Sequence, residues 1–188
     1  QIIKEDGRQI LLLSDRRAHL TYFYEKLLKR KICTVGYYVG GMKQHERKES
    51  EDKQVMLGTY TMSSEGLDVK SLNAVIFASP KSDITQSIGR ILRQKHPTII
   101  PTTYDIIDSS IPVFYRQSLK RKRFYKRNNY NMYVHKVYDT KDTKTSVLLQ
   151  QYNNDITSVK NKKNSKNNKI PKQFIQSTIP NYCIIDDF

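Results

Sequence analysis

Tryptophan is absent from the 188 residues, and cysteine occurs only twice. Cys33 and Cys183 stand 150 positions apart, which excludes both a zinc-ligand spacing and a disulfide framework and points to a reducing compartment. His19, His45, His96 and His135 are scattered, so no metal site is expected. No stretch approaches the roughly 20 apolar residues a membrane span needs, and no membrane partner is expected. A signal peptide is not visible, and the start Gln1-Ile2-Ile3-Lys4 lacks a methionine, so the chain reads as part of a larger protein.

Acidic residues are scarce in one part of the chain only. Residues 1–108 hold 17 Lys/Arg against 13 Asp/Glu, a net of +4, whereas residues 109–188 hold 16 against 5, a net of +11. Positive charge concentrated in one segment favours a polyanionic partner, above all nucleic acid. The plain alternative is a solubilising or targeting tail.

Short apolar runs alternate with amphipathic stretches. Ile10-Leu11-Leu12-Leu13 reads as a buried parallel strand, with Ser14-Asp15 capping a helix over 16–30. Ala18, Leu20, Phe23, Tyr24, Leu27 and Leu28 fall on one side of that helix. Further strands are predicted at 35–39, 54–59, 74–78 and 102–108. Helices are predicted at 83–93, capped by Ser82 or Asp83, and at 113–127. Residues 43–53 are helix-permissive. The alternation predicts an α/β domain whose parallel sheet is flanked by helices, with ligand-binding loops along the carboxyl edge of the strands. Beyond 128 the pattern degrades. Residues 153–172 are rich in Asn, Lys, Ser, Asp and Thr and are expected to be disordered or loosely held. The apolar end around 179–185 either adds an edge strand or docks on the core.

Three segments carry candidate chemistry. Gly58 to Val69 follows a predicted strand; Thr and Ser there suit phosphate contacts, and Gly66 permits close backbone approach. Alone it reads equally well as a polar loop with a turn. On the next helix, Gln86, Gly89, Arg90 and Arg93 are spaced by three or four and share a face. Two guanidinium groups so placed suit a phosphate whose charge grows in a transition state; alone, they read as solvated surface arginines. Leu12 to Arg16 is a strand end entering a helix.

In this order and spacing the three segments resemble the second RecA-like domain of superfamily-2 helicases, over roughly residues 8–110. Leu11 to Arg16 resembles motif IV. Thr59-Tyr60 through Ser64-Glu65-Gly66-Leu67-Asp68 resembles motif V. Gln86, Gly89, Arg90 and Arg93 resemble motif VI, the arginine-finger motif. The spacing from Thr59 to Gly66 is similar to that of the duplex-translocating branch. The run from Gln86 to Phe114-Tyr115-Arg116 is similar to helicases of large nucleocytoplasmic DNA viruses, among them poxvirus transcript-release, asfarvirus and mimivirus relatives.

The resemblance implies a role for each matched residue. Arg93, Arg90 and Gln86 are the catalytic candidates, with both arginines directed at the γ-phosphate. Gly66, Asp68 and Gly89 would line the nucleotide cleft, and Ser14, Asp15 and Thr59 would meet the nucleic-acid backbone. The basic helix adds Arg116, Lys120, Arg121, Arg123 and Arg127 as nucleic-acid candidates on charge alone, with seven Lys/Arg in the thirteen residues 115–127. Packing of that helix onto the sheet and a nuclear-localisation patch remain open alternatives. The sequence lacks a Gly-x-x-x-x-Gly-Lys-Ser/Thr phosphate loop and an Asp-Glu magnesium box, both needed for phosphoryl transfer. ATP and Mg2+ are therefore expected to bind mainly to an N-terminal RecA-like domain of the same protein, and this chain alone is expected to be inactive. The division expected is a helicase C-terminal domain at 1–127 and a basic low-complexity extension at 128–188. The expected partners are that N-terminal domain, DNA or an RNA–DNA hybrid, and transcription machinery. The expected location is intracellular, in a viral factory, virion or nucleus. The expected task is viral transcription termination or transcript release, and the alternative is a non-catalytic binding module on the helicase fold.

Overall fold

A computed structural model describes residues 2–65, 67–94, 96, 98–139, 144–152 and 181–187. After a 3-10 turn at Ile2–Lys4, the elements run β1 (Ile10–Leu13), α1 (Arg17–Arg30), β2 (Val35–Tyr38), α2 (Gln44–Glu51), β3 (Val55–Gly58), α3 (Tyr60–Glu65), β4 (Ala74–Phe77), α4 (Thr85–Ile91), β5 (Thr102–Asp108) and α5 (Pro112–Arg127). Three more strands follow, β6 (Asn131–Asp139), β7 (Lys144–Tyr152) and β8 (Asn181–Asp187). The strand order is β2-β3-β1-β4-β5-β8-β6-β7. Strands β2 to β5 are parallel through β3, β1 and β4, as expected of an α/β sheet, and β7 is the antiparallel partner of β6. The apolar end of the chain is not at an edge: β8 runs parallel between β5 and β6. The stretch 153–172 lies outside the described residues.

Strands β1, β3 and β4 read as nearly unbroken apolar runs because both faces are covered. Leu11, Leu13, Met56, Val75 and Phe77 point to one side, packing with Tyr60, Ile84, Ile88, Ile91 and Tyr125 from α3, α4 and α5. Ile10, Leu12, Val55, Leu57 and Ala74 point to the other, where Leu20, Phe23, Tyr24 and Leu27 of α1 cover them. Gly36 allows α2 to lie close on β2, since a Cβ there would sit 2.7 Å from Ser50 Oγ and 3.0 Å from Ser50 Cα.

Helix starts differ from expectation. Arg16, not Ser14 or Asp15, is the N-cap of α1 and makes no side-chain cap bond. Ile84 stands at the N-cap of α4, likewise without one, while Asp83 Oδ1 accepts from the Thr85 N–H at 3.0 Å. The segment read as a polar loop contains α3, a helix of six residues.

One polar group lies at the centre of the apolar layer. Asp105 of β5 is fully buried, and its Oδ2 accepts from Arg121 Nε at 2.7 Å and from the Tyr125 hydroxyl at 3.0 Å. Arg121 is 1% exposed and also donates through Nη1 to the Lys81 carbonyl at 2.6 Å. Burial pushes the Asp105 carboxyl up, against the opposing pull of the Arg121 charge. The expectation that Arg121 meets nucleic acid is therefore corrected: Ser118, Arg121 and Tyr125 form the inward stripe of α5, while Arg116, Lys120, Arg123 and Arg127 are exposed. Removing one partner of a buried pair leaves an uncompensated charge. Arg121→Met is expected to cost about 3–5 kcal/mol of stability in urea denaturation. Arg121→Lys should restore little of it, because a point charge cannot span both Asp105 and the Lys81 carbonyl.

Candidate functional site

The segments that follow β1, β3 and β4 meet at the carboxyl edge of the sheet, where ligands of open α/β sheets bind. After β3, Thr59 Oγ1 accepts from the Met62 N–H at 3.4 Å and so tucks in the first turn of α3. The far end of α3 exposes carbonyls that no turn of helix satisfies. Arg90 of α4 meets them: Nε donates to Ser63 O at 3.0 Å, Nη2 to Ser64 O at 2.7 Å and Nη1 to Leu67 O at 2.7 Å. One planar guanidinium thus binds the two candidate motifs into one body. Partial burial, with the nearby charge of Arg93, pulls the Arg90 pKa down; three charge-assisted bonds hold the ionised form in place.

Arg93, one turn on, is in a different state. Its Nη1 pairs with Asp68 Oδ1, and both side chains are exposed, at 41% and 66%. Gly89 lies between the two arginines in sequence, and a Cβ built on it would meet nothing within 4 Å. Packing within the described residues therefore gives no reason for a glycine at this position. Gln86 is exposed at the other end of α4, beside a shallow hollow of about 270 Å³ that it shares with Thr61, Ser64, Lys81 and Asp83. The geometry brings Gln86, Gly89, Arg90, Arg93 and Asp68 onto two adjoining segments. Gly66 lies outside the described residues.

The nucleic-acid candidates separate into two groups. Ser14 is fully buried; its Oγ is 3.1 Å from His19 Nδ1 and accepts from the Arg16 N–H at 3.2 Å. Its expected contact with nucleic acid is corrected on that ground: the hydroxyl faces inward and serves the β1–α1 turn. Burial, then the charge of Arg16, lowers the His19 pKa, consistent with a neutral ring beside that hydroxyl. Asp15 is exposed, 3.8 Å from Lys81 Nζ, and Thr59 is half-buried. The exposed α5 cations Lys120, Arg123 and Arg127 border a second hollow of about 410 Å³ with Asp83 and Thr85; Arg116 lies farther along the same helix. Lys81 escaped the sequence reading, and Tyr60 was named there only as part of a motif, with no role of its own. The available signal was their position, each just beyond a strand end at the ligand-binding edge.

Residues 1–95 match the family of helicase conserved C-terminal domains. Over 149 residues the chain is 40% identical to a protein of Acanthamoeba polyphaga mimivirus provisionally named ATP-dependent RNA helicase L396, covering 76% of this chain and 28% of that one. Over 132 residues it is 26% identical to a protein of African swine fever virus, provisionally named ATP-dependent RNA helicase QP509L, covering 66% of this chain and 26% of that one. The chain thus spans under a third of the length of these relatives. Among solved structures, the C-terminal part of the Fun30 ATPase domain shares the fold, with a TM-score of 0.53, 12% identity, and coverage of 63% of this chain and 40% of that one.

The two arginines should respond differently to removal. Arg90→Ala is expected to destabilise the chain by about 2–3 kcal/mol, because it strands three partly buried carbonyls. Asp68→Ala, which breaks an exposed pair, should stay within about 0.5 kcal/mol of wild type. Gly89→Ala should stabilise the chain by about 0.5–1 kcal/mol, as a helical glycine with open space around it. Urea denaturation of the three variants side by side checks all three.

Proposed function

Because the chain belongs to the family of helicase conserved C-terminal domains, we propose that it is the second RecA-like half of an ATP-dependent nucleic-acid motor and presents Arg93 to a nucleotide held mainly on another domain. The observation that carries this reading is the contrast between the two arginines. Arg90 spends its donors on α3 and builds a rigid base. Arg93 projects from that base, exposed and held by one exposed carboxylate.

ATP supplies the reacting phosphoryl group and Mg2+ neutralises its charge. The described residues include no group of three or more His, Cys, Asp or Glu suited to a metal, and the sequence has no phosphate loop. What fits a nucleotide here is narrower: a guanidinium for a γ-phosphate and, one turn away, a glycine surface that a facing domain can approach. Arg93 exchanges Asp68 for the phosphate when the cleft closes. Arg90 acts by holding the α3 end in place, and Gln86, at the far end of α4, reports closure to the nucleic-acid side. Cycles of closing and opening step the pair along its track. The names of the viral relatives favour RNA as that track, where the motif spacing alone suggested duplex DNA or a hybrid. Arg123 and Arg127, with Lys120 and Arg116, add a salt-sensitive hold on its phosphates. Transcript release beside an intracellular viral polymerase is a task that suits such a motor.

In the intact enzyme, Arg93→Ala is expected to lower the ATPase rate by about 10³-fold or more while nucleotide binding is largely kept. Steady-state ATPase together with equilibrium binding of a fluorescent nucleotide makes the measurement. A near-normal rate would remove Arg93 from the reaction.

A further inference from the structure

The segment joining β4 to α4 is held from three sides. The Asp15 N–H donates to Ser79 Oγ at 2.9 Å, the Tyr60 hydroxyl donates to the Ser79 carbonyl at 2.6 Å, and Arg121 donates to the Lys81 carbonyl at 2.6 Å. The β1–α1 turn thus holds the Ser79 side chain, and α3 and α5 fix the backbone at Ser79 and Lys81. The Lys81 side chain is the contrast. Its ammonium lies 3.8 Å from Asp15 Oδ1 and 5.2 Å from the centre of the Tyr60 ring, and it remains 41% exposed. An exposed ion pair of this kind is worth about 0–1 kcal/mol, and an exposed cation–π contact about 0.5–1 kcal/mol. A rigid backbone thus presents a cation whose present partners are easily exchanged.

The position of this cation selects its ligand. Arg93, the nucleotide-facing group, lies just past the C-terminal end of α4, roughly 10 Å along the helix from Gln86 at 1.5 Å per residue. Lys81 precedes the start of α4 and neighbours Tyr60, the first residue of α3, and Asp15, in the turn after β1. It belongs with the segments that follow β1 and β3, not with the nucleotide end. Toward α3 its hollow contains Thr61 and Gln86; across Asp83 the second hollow opens onto Lys120, Arg123 and Arg127. Asp83, kept ionised by the Thr85 N–H, repels a phosphate directly above the helix start. Two landing points remain, one at Lys81 and one on α5.

We propose that Lys81 is a contact to the nucleic-acid backbone, that a phosphate takes the place of the Asp15 carboxylate on its ammonium, and that the strand passes from there to Lys120, Arg123 and Arg127. This rests on the nucleic-acid reading above. The test is fluorescence anisotropy of a labelled single-stranded oligouridylate with the 188-residue chain over a series of salt concentrations. Lys81→Gln is expected to weaken binding about threefold at fixed low salt and to make the slope of log affinity against log salt shallower by about 0.7, the loss of one phosphate contact on a single strand. Lys81→Arg keeps the wild-type slope. Asp15→Asn, which leaves the ammonium in place and removes its competitor, tightens binding, and does so more with Lys81 present than in Lys81→Gln, a dependence that a merely structural role for Lys81 does not produce. An unchanged slope in Lys81→Gln overturns the contact, whatever happens to affinity, and so does failure of Asp15→Asn to tighten binding. Absence of salt-dependent binding by the wild-type chain removes the nucleic-acid reading itself, and the Lys81 contact with it.

Discussion

The guanidinium of Arg90, set against the three carbonyls of Ser63, Ser64 and Leu67, is the constraint on which the site depends. Helix α3 has six residues, too few to hold itself together in water, and its sequence Tyr-Thr-Met-Ser-Ser-Glu contains weak helix formers. Its end is made by a side chain from the next helix. Because the same residue sits on α4, a displacement of α3 is carried to that helix and to Arg93 just beyond its end. On the reading proposed above, the nucleotide cleft and the nucleic-acid track are coupled through this one guanidinium, which already makes three hydrogen bonds.

Cations are sorted here by burial. Arg121 is buried and Arg90 half-buried, and both fasten elements of the fold; Arg93 and Lys81 stand beside the elements so fastened with exposed side chains. Each exposed cation is paired with a single exposed carboxylate, Asp68 or Asp15, in a contact weak enough to exchange. Breaking such a pair costs little, and on the reading proposed above a phosphate, with its higher charge and several acceptor oxygens, competes well for the same donor.

Much of this was legible in the residues. The apolar runs at β1, β3 and β4 announced strands buried on both faces. The spacing of Gln86, Gly89 and Arg90 announced a helix, with Arg93 standing just past its end. What stayed hidden has physical causes. Seven basic residues among the thirteen at 115–127 offer no contrast between inward and outward positions, so Arg121 looked like its neighbours. The usable signal was on another strand, in Asp105, an acid within an apolar stretch that requires a buried partner. Ser14 has the right chemistry for a phosphate but is turned inward by His19 and the Arg16 N–H. Helix α3 was invisible because its stability is tertiary. Lys81 has no motif around it, and its importance comes from three loops converging in space. Gly66 and residues 153–172 lie outside the described residues.

The central claim is that this chain holds one side of a composite ATP site. Its most direct test compares nucleic-acid-stimulated ATP hydrolysis by the chain alone with hydrolysis by the same chain joined to the N-terminal part of its own protein. The account predicts no turnover by the chain alone and stimulated turnover by the joined form. Stimulated hydrolysis by the chain alone would mean a complete nucleotide site within these 188 residues and would contradict it.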